Sequence, residues 1–291
     1  MIKQAASKLG ILILNLLSLL PLQVLYVIAD FLYYVLYHVI GYRRKVVREN
    51  LKNSFPDKSQ AEITTIEKGY YRHLTSLIVE IVKMASISKA ELQNRFQFKN
   101  LELITGYLSR GKSIFACSAH YGNWEWGTLA LGLHMQAEIY GIYKPVSNEL
   151  FGRWFTKIRT RFGNHFIPMK QTLRAIMESK DRPTVFLFAN DQTPLKTEST
   201  YWIEFLHQPT AILPGLEKLA LRTSRPIFYF KTTVIKRGYY EVECVPLCME
   251  PAVTSPNDIT IAHVRMLESI INEKPEYWLW SHRRWKHKPE V

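Results

Sequence analysis

The sequence predicts an α/β fold: a mixed, mostly parallel sheet flanked by helices, with a hydrophobic, membrane-associated helical segment at the N-terminus. Three observations carry this. From residue 100 onward, continuous apolar runs of strand length alternate with helical patterns, as a sheet covered on both faces requires. Two late runs, 227–234 and 239–245, are joined by Lys236-Arg-Gly238, a hairpin turn that adds antiparallel character. Between Lys8 and Arg43 the only formal charge is Asp30.

That apolar stretch, residues 9–42, exceeds the roughly 20 residues needed to cross a bilayer. Pro21 and Asp30 interrupt it, so a spanning helix and two shorter interfacial helices both remain open. A secretory signal fits poorly, because the run is too long and no small-residue cleavage site follows. A buried core is the alternative, and uncharged runs of this length are rare in soluble cores. Tyr33, Tyr34, Tyr37 and Tyr42 crowd its end, with Arg43, Arg44, Lys45 and Arg48 beyond them. Aromatics at headgroup level with basic residues outside them suit a cytoplasmic membrane surface. The organisation predicted is residues 1–45 as anchor or interfacial helices and residues 46–291 as one α/β domain.

Within that domain, Ser59-x-x-Glu62 is a capping box ahead of a helix through about Met84, with apolar residues at Ile63, Ile66, Tyr70, Leu74, Leu77 and Ile81. Ser88-x-x-Glu91 opens a short helix in the same way. A helix near 100–109 leads to the strand 113–118, and one near 124–133 leads to 138–143. Helices near 149–162 and 172–179 precede the strand 184–188; a helix near 213–223 precedes the hairpin; a last helix spans about 259–272. Ligands gather at the carboxyl ends of such strands.

Composition excludes other classes. Of 291 residues, 47% are hydrophobic, enough to pack a core rather than remain disordered. The three cysteines have no ligand spacing for zinc and read as reduced thiols. The net charge of +13 favours an anionic partner. Gly106-Tyr-Leu-Ser-Arg-Gly-Lys-Ser113 matches a phosphate-binding loop in letters only. That loop needs a strand before it and a helix after it; here the order is reversed, and Gly111 reads as a helix C-cap.

The strongest chemical signal follows the 113–118 strand: His120-Tyr-Gly-Asn-Trp-Glu125. A histidine five residues before a glutamate, across a Gly-Asn turn that opens a helix, can fold so that the carboxylate meets the imidazole. The carboxylate would fix the tautomer and make the other ring nitrogen a base. A histidine that merely caps the turn is the structural alternative. No hydrolase nucleophile motif accompanies it, so the attacking hydroxyl belongs to the substrate.

This block resembles the H-x4-D/E motif of glycerolipid-type acyltransferases, in the H-x-G-N-W-E form of the bacterial late acyltransferases of lipid A biosynthesis. The resemblance extends over nearly the whole chain. It takes in Arg44-x-x-x-x-x-Asn50, Leu108-Ser-Arg-Gly-Lys112, Arg159-Thr-Arg-Phe-Gly163, Asp191-Gln192, Leu267-Glu268 and Pro275-Glu-Tyr-Trp-Leu-Trp-Ser-His-Arg-Arg-Trp-Lys286. It implies transfer of a fatty acyl chain from acyl carrier protein or acyl-CoA to a hydroxyl of a phosphorylated glycolipid, at the inner (cytoplasmic) membrane with the catalytic domain on the cytoplasmic face. By position, His120 would be the general base and Glu125 its orienting partner, with Asn123, Arg159 and Asp191 as further functional positions. Arg159 would contact phosphate or polarise the acyl carbonyl. Arg283 and Arg284, with His282 and Lys286, would clamp lipid phosphate or form an exposed basic tail. Such chemistry needs a base and oxyanion donors but no metal, nucleotide or other cofactor.

One departure concerns the acceptor. Where the family carries a Gly-rich stretch and an aromatic-aromatic-Gly, this chain has Thr193-Pro-Leu-Lys-Thr-Glu198 and Phe205-Leu-His207. A lysophospholipid or other glycolipid acyltransferase is therefore the nearest alternative. A membrane-bound hydrolase would use water instead. A basic nucleic-acid-binding protein is the distant one, but no recognition motif supports it and no nucleic-acid partner is expected.

Overall fold

The structure is a computed structural model describing residues 2–198 and 201–289. The apolar N-terminus forms two helices, α1 (Ile2–Ser18) and α2 (Leu22–Tyr34), which break at Pro21; a π turn, Val35–Val39, prolongs the second. Proline has no N–H for the helical ladder and its ring blocks the preceding turn, so the run divides there. Three further helices follow: α3 (Arg44–Ser54), α4 (Gln60–Lys83) and α5 (Lys89–Arg95). The capping box at the start of α4 has both of its bonds, Glu62 N–H to Ser59 Oγ and Ser59 N–H to Glu62 Oε2.

The alternating part then runs β1 (Phe96–Lys99), α6 (Leu101–Leu108), β2 (Ile114–Ser118), α7 (Trp124–His134), β3 (Glu138–Tyr143), α8 (Glu149–Arg159), β4 (His165–Pro168), α9 (Thr172–Glu178) and β5 (Thr184–Ala189). A small hairpin, β6 (Tyr201–Phe205) and β7 (Gln208–Ile212), leads to α10 (Gly215–Thr223), β8 (Ile227–Lys236), β9 (Tyr239–Cys248) and α11 (Asp258–Glu273). The main sheet has the order β1-β9-β8-β2-β5-β3-β4, and among its described strands only the β8–β9 pairing is antiparallel.

Strand alternation divides the core between the two faces. Phe115 and Cys117 of β2 and Phe186 and Phe188 of β5 point to one side, toward α9, α10 and α11. Ile114, Ala116, Val185 and Leu187 point to the other, toward α5, α6, α7 and α8. Long α4 serves both: Ile63, Tyr70 and Leu74 join the first cluster, Val79 and Ile81 the second. It therefore crosses the end of the sheet, where its middle meets the loop after β2.

The Gly106–Ser113 letters are confirmed as a helix-to-strand junction. Gly111 has φ +71°, its N–H donates to Leu108 O and that of Lys112 to Tyr107 O, the paired bonds of a Schellman cap. Two things differ from the sequence reading. β1, β4 and the β6–β7 hairpin are additional. The helix from 149 ends at Arg159, not Phe162. A 3-10 turn, Pro275–Tyr277, precedes Trp278, which makes a single bridge with Tyr121.

The β6–β7 hairpin turns on Leu206 and His207, with φ +50° and +58°. This two-residue turn normally uses Gly or Asn, because a Cβ is crowded at positive φ. Leu206 is held there by burial and by its N–H donating to Glu268 Oε1 at 2.6 Å. His207 is exposed, so burial does not offset its strain. His207→Gly should therefore stabilise the fold by about 1 kcal/mol, whereas Leu206→Gly should destabilise it by roughly 2–4 kcal/mol through lost burial; chemical unfolding curves distinguish the two.

Candidate active site

Strands β2 and β5 are adjacent and parallel, with Ser118 paired to Ala189. Two residues beyond each strand end stand His120 and Asp191, so the register alone sets them opposite one another at the carboxyl edge of the sheet. Imidazole Nδ1 lies 2.6 Å from Asp191 Oδ1. The main-chain N–H of His120 donates to Asp191 Oδ2 at 2.9 Å, and the Trp278 indole N–H donates to the same oxygen at 2.9 Å. With Nδ1–H turned to the carboxylate, the lone pair resides on Nε2, where the Gln192 amide nitrogen lies at 3.2 Å. The Asp191 side chain is 2% exposed and that of His120 18%, so the acid is sealed while the base stays reachable.

The electrostatics follow from this geometry. Burial alone would push the Asp191 carboxyl up, but the imidazole charge, the His120 bonds and the Trp278 indole outweigh it and hold the group well below the usual range. Burial likewise disfavours charged His120, yet Asp191 overcomes it, with a further contribution from Glu125, and the imidazole is raised above its ordinary value.

The turn between β2 and α7 is fixed from beneath. Gly122 has φ +60°, and a Cβ there would fall 2.9 Å from Thr232 Cγ2 on β8, so only glycine lets the turn press against the sheet. His73 of α4 lies with Nε2 3.1 Å from Gly122 O; burial pulls it down to about 4, which keeps it a neutral donor. Asn123 caps α7 by accepting the Trp126 N–H at Oδ1, 2.9 Å away, while its Nδ2 donates to Glu80 Oε2 at 2.7 Å.

Glu125 does not take the place expected for it. On the first turn of α7 its carboxylate points toward the last turn of α8 and holds Arg159 with two bonds, Nε to Oε2 at 2.6 Å and Nη2 to Oε1. Among the described residues no hydrogen bond joins it to His120, whose partner is Asp191; the glutamate acts on the imidazole only through its field. Arg159 is itself largely enclosed, its side chain 15% exposed. It is sandwiched by Phe155, 3.7 Å from guanidinium carbon to ring centre, and Phe166 at 5.0 Å.

The C-terminal arginines separate. Arg283 is exposed. Arg284 is buried, donates from Nη2 to Ala211 O at 2.8 Å, and is drawn down to about 10 by burial, so it is neither a surface clamp nor part of an exposed tail. His282 accepts the Thr193 main-chain N–H at Nε2, 3.0 Å away, and ties the last segment to the loop after Asp191. Spacing did not reveal the roles of Trp278, Gln192, His73 and Glu80. The Asp191 pairing was accessible only through the β2–β5 register.

An imidazole with a buried carboxylate on Nδ1 and a partly exposed Nε2, met by the Gln192 amide, is suited to remove a hydroxyl proton once a substrate hydroxyl takes the place of that amide. Arg159, fixed by Glu125, sets a cation in the same neighbourhood. Comparison with known proteins points the same way. A family model described as bacterial lipid A biosynthesis acyltransferase matches residues 1–287. A lipid A biosynthesis acyltransferase of Haemophilus influenzae is 24% identical over 277 residues, 94% of this chain and 85% of the relative. The lipid A biosynthesis palmitoleoyltransferase of Escherichia coli is 25% identical over 249 residues, 85% of this chain and 80% of the relative. The lauroyltransferase of the same organism is 24% identical over 285 residues, 97% and 92% of the two chains.

The His120–Asp191 pairing is testable without any substrate. His120 should titrate above the ordinary histidine value in an NMR pH series. In Asp191→Asn the carboxylate no longer opposes burial, so the same resonance should move to a lower pH. An unchanged titration would contradict the pairing.

Proposed function

The chain belongs to the bacterial lipid A biosynthesis acyltransferases, and from that premise we propose that it moves a fatty acyl chain from a thioester to a hydroxyl of a phosphorylated glycolipid at the cytoplasmic face of the inner membrane. The observation that carries the reading is the His120–Asp191 pair, sealed on the acid side and partly exposed on the imidazole side. The donor is an acyl thioester of acyl carrier protein or coenzyme A; the acceptor is lipid A or its precursor.

In this mechanism His120 Nε2 takes the proton of the acceptor hydroxyl as its oxygen attacks the thioester carbon. The imidazolium that forms is stabilised by Asp191, which keeps its own proton off. Negative charge gathers on the former carbonyl oxygen, and the Arg159 guanidinium, oriented edge-on by Glu125, supplies the nearby cation. Collapse of the tetrahedral species reforms the carbonyl and breaks the carbon–sulfur bond. The departing thiolate recovers the proton from His120, so the enzyme ends as it began. Glu125 thus acts by holding Arg159, and Asn123 by fixing the turn.

Membrane attachment follows from α1 and α2. One face of α2 is committed to the protein: Leu22, Leu25 and Ala29 are buried, and Asp30 pairs with Arg237 at 2.8 Å. The charge that interrupts the apolar run is therefore a clasp onto the β8–β9 hairpin. The opposite face exposes Val24, Val27, Phe31 and Tyr34, continued on α1 by Leu9, Leu12, Ile13 and Leu16. The run Leu22–Val39 has the length and composition to cross a bilayer, but only its outer face is free. We read the pair as lying in the interface with this face in the acyl region.

Three experiments test the proposal. Mass spectrometry of lipids from cells with and without the gene should show loss of one acyl group from a phosphorylated glycolipid; an unchanged profile would sink the assignment, and a changed lysophospholipid would redirect it. In vitro, His120→Ala and Asp191→Asn should each lower kcat by roughly 10²–10⁴-fold with little change in the KM for the thioester. Val27→Asp combined with Phe31→Asp should weaken sedimentation with anionic vesicles at least about tenfold, since each apolar side chain contributes on the order of 1.5 kcal/mol or more when buried.

A further inference from the structure

Beneath the catalytic turn lies a carboxylate that the reaction above does not use. Glu80, in the second half of α4, is fully buried, yet among the described residues no cation is bonded to it. Three neutral donors satisfy it instead. Tyr240 of β9 donates its hydroxyl to Oε2 at 2.6 Å, and Asn123 donates Nδ2 to the same oxygen at 2.7 Å. The third is Tyr26, which reaches in from α2 and donates to Oε1 at 2.9 Å. The Glu80 main-chain carbonyl also accepts the Trp126 indole N–H at 2.8 Å. One residue therefore touches the interfacial helix on one side and both the cap and first turn of α7 on the other.

The arrangement around Tyr26 shows how firmly that helix is seated. Arg237 lies over the Tyr26 ring at 4.5 Å, donates to its carbonyl at 3.2 Å, and is itself bonded to Asp30. A Cβ added at Gly238 would collide with the Tyr26 hydroxyl, so the glycine in the β8–β9 turn makes room for this phenol. Asn123 has both ends of its amide engaged: Oδ1 holds the Trp126 N–H while Nδ2 holds Glu80. If Glu80 moves, the cap of α7 moves, and with it the span from His120 to Glu125.

We propose that Glu80 is a positioning residue for the acyl-transfer site, and that through Tyr26 it makes the catalytic turn depend on the seating of the membrane-facing helix α2. The inference rests on the acyl-transfer reading of His120. It gives the enzyme a reason to be slow when α2 is displaced: a buried carboxylate that loses the Tyr26 hydroxyl must rely on the two donors that remain, Tyr240 and Asn123, and its shift toward them disturbs the Asn123 cap of α7.

The test uses the full-length protein on vesicles, with kcat, KM and melting temperature measured for each variant. Tyr26→Phe should lower kcat about threefold to tenfold, and Glu80→Gln about tenfold or more, with the KM for the acyl thioester unchanged. Asn123→Asp alone sets two carboxylates against each other and should be worse. Combined with Glu80→Gln it should recover most of the lost rate. The amide introduced at position 80 then donates to the carboxylate introduced at position 123, which still accepts the Trp126 N–H. Variants that melt earlier but turn over at the parent rate when folded would reduce Glu80 to a structural residue and overturn the proposal. If Glu80→Gln does not fold, Tyr26→Phe decides alone. Hydrogen exchange at the Trp126 amide gives a readout independent of the reaction: it should quicken in Tyr26→Phe, and an unchanged rate would refute the relay. A parent protein inactive with either thioester would instead defeat the functional reading and leave that exchange measurement standing.

Discussion

Everything at the centre of this molecule depends on keeping one carboxylate ionised out of contact with water. Asp191 achieves it because three donors converge on it: the imidazole and main-chain N–H of His120 and the indole of Trp278. None comes from its own strand. They belong to the loop after β2 and to the segment after α11, and both must be in place before the charge is tolerable. The arrangement orders the structure around it. It requires β2 and β5 to be neighbours in one register, a glycine at 122 to bring the turn down onto β8, and the Trp278 bridge to Tyr121 to hold the last segment across the sheet edge.

Much of the fold was legible because its signals are local. The capping box at Ser59, the Schellman glycine at 111, the apolar runs of β2 and β5 and the Arg237-Gly238 turn each announce themselves within a few residues. What was hidden is non-local or atypical. Strands β1 and β4 are only four residues long, too short for a pattern to emerge. The β6–β7 hairpin turns on leucine and histidine, residues that ordinarily argue against such a turn, and burial of Leu206 offsets the strain.

The site was legible in its members and not in its pairings. His120, Asn123, Glu125 and Asp191 follow the carboxyl ends of β2 and β5, where the alternation of strands and helices directs attention, while Arg159 was named only through the family resemblance. Spacing suggested that His120 and Glu125 would meet, since five residues and a turn bring them near. The first turn of α7 instead sends the glutamate toward α8, where Arg159 waits between two phenyl rings. Strand order assigns the acid, and strand order cannot be read from five residues. For Arg284, sequence composition misleads outright: a run of basic residues looks exposed, yet this guanidinium is buried against Ala211.

The late position of Trp278 has a consequence for the order in which the pair is completed. The strands and helices that carry His120 and Asp191 leave the ribosome well before the residue that completes the acid's hydrogen bonds. Until that indole has emerged and folded back, the carboxylate has only the two donors that His120 supplies. The His120–Asp191 pair is therefore finished from the far end of the sequence, and its buried acid is fully satisfied only when the last segment docks across the sheet edge.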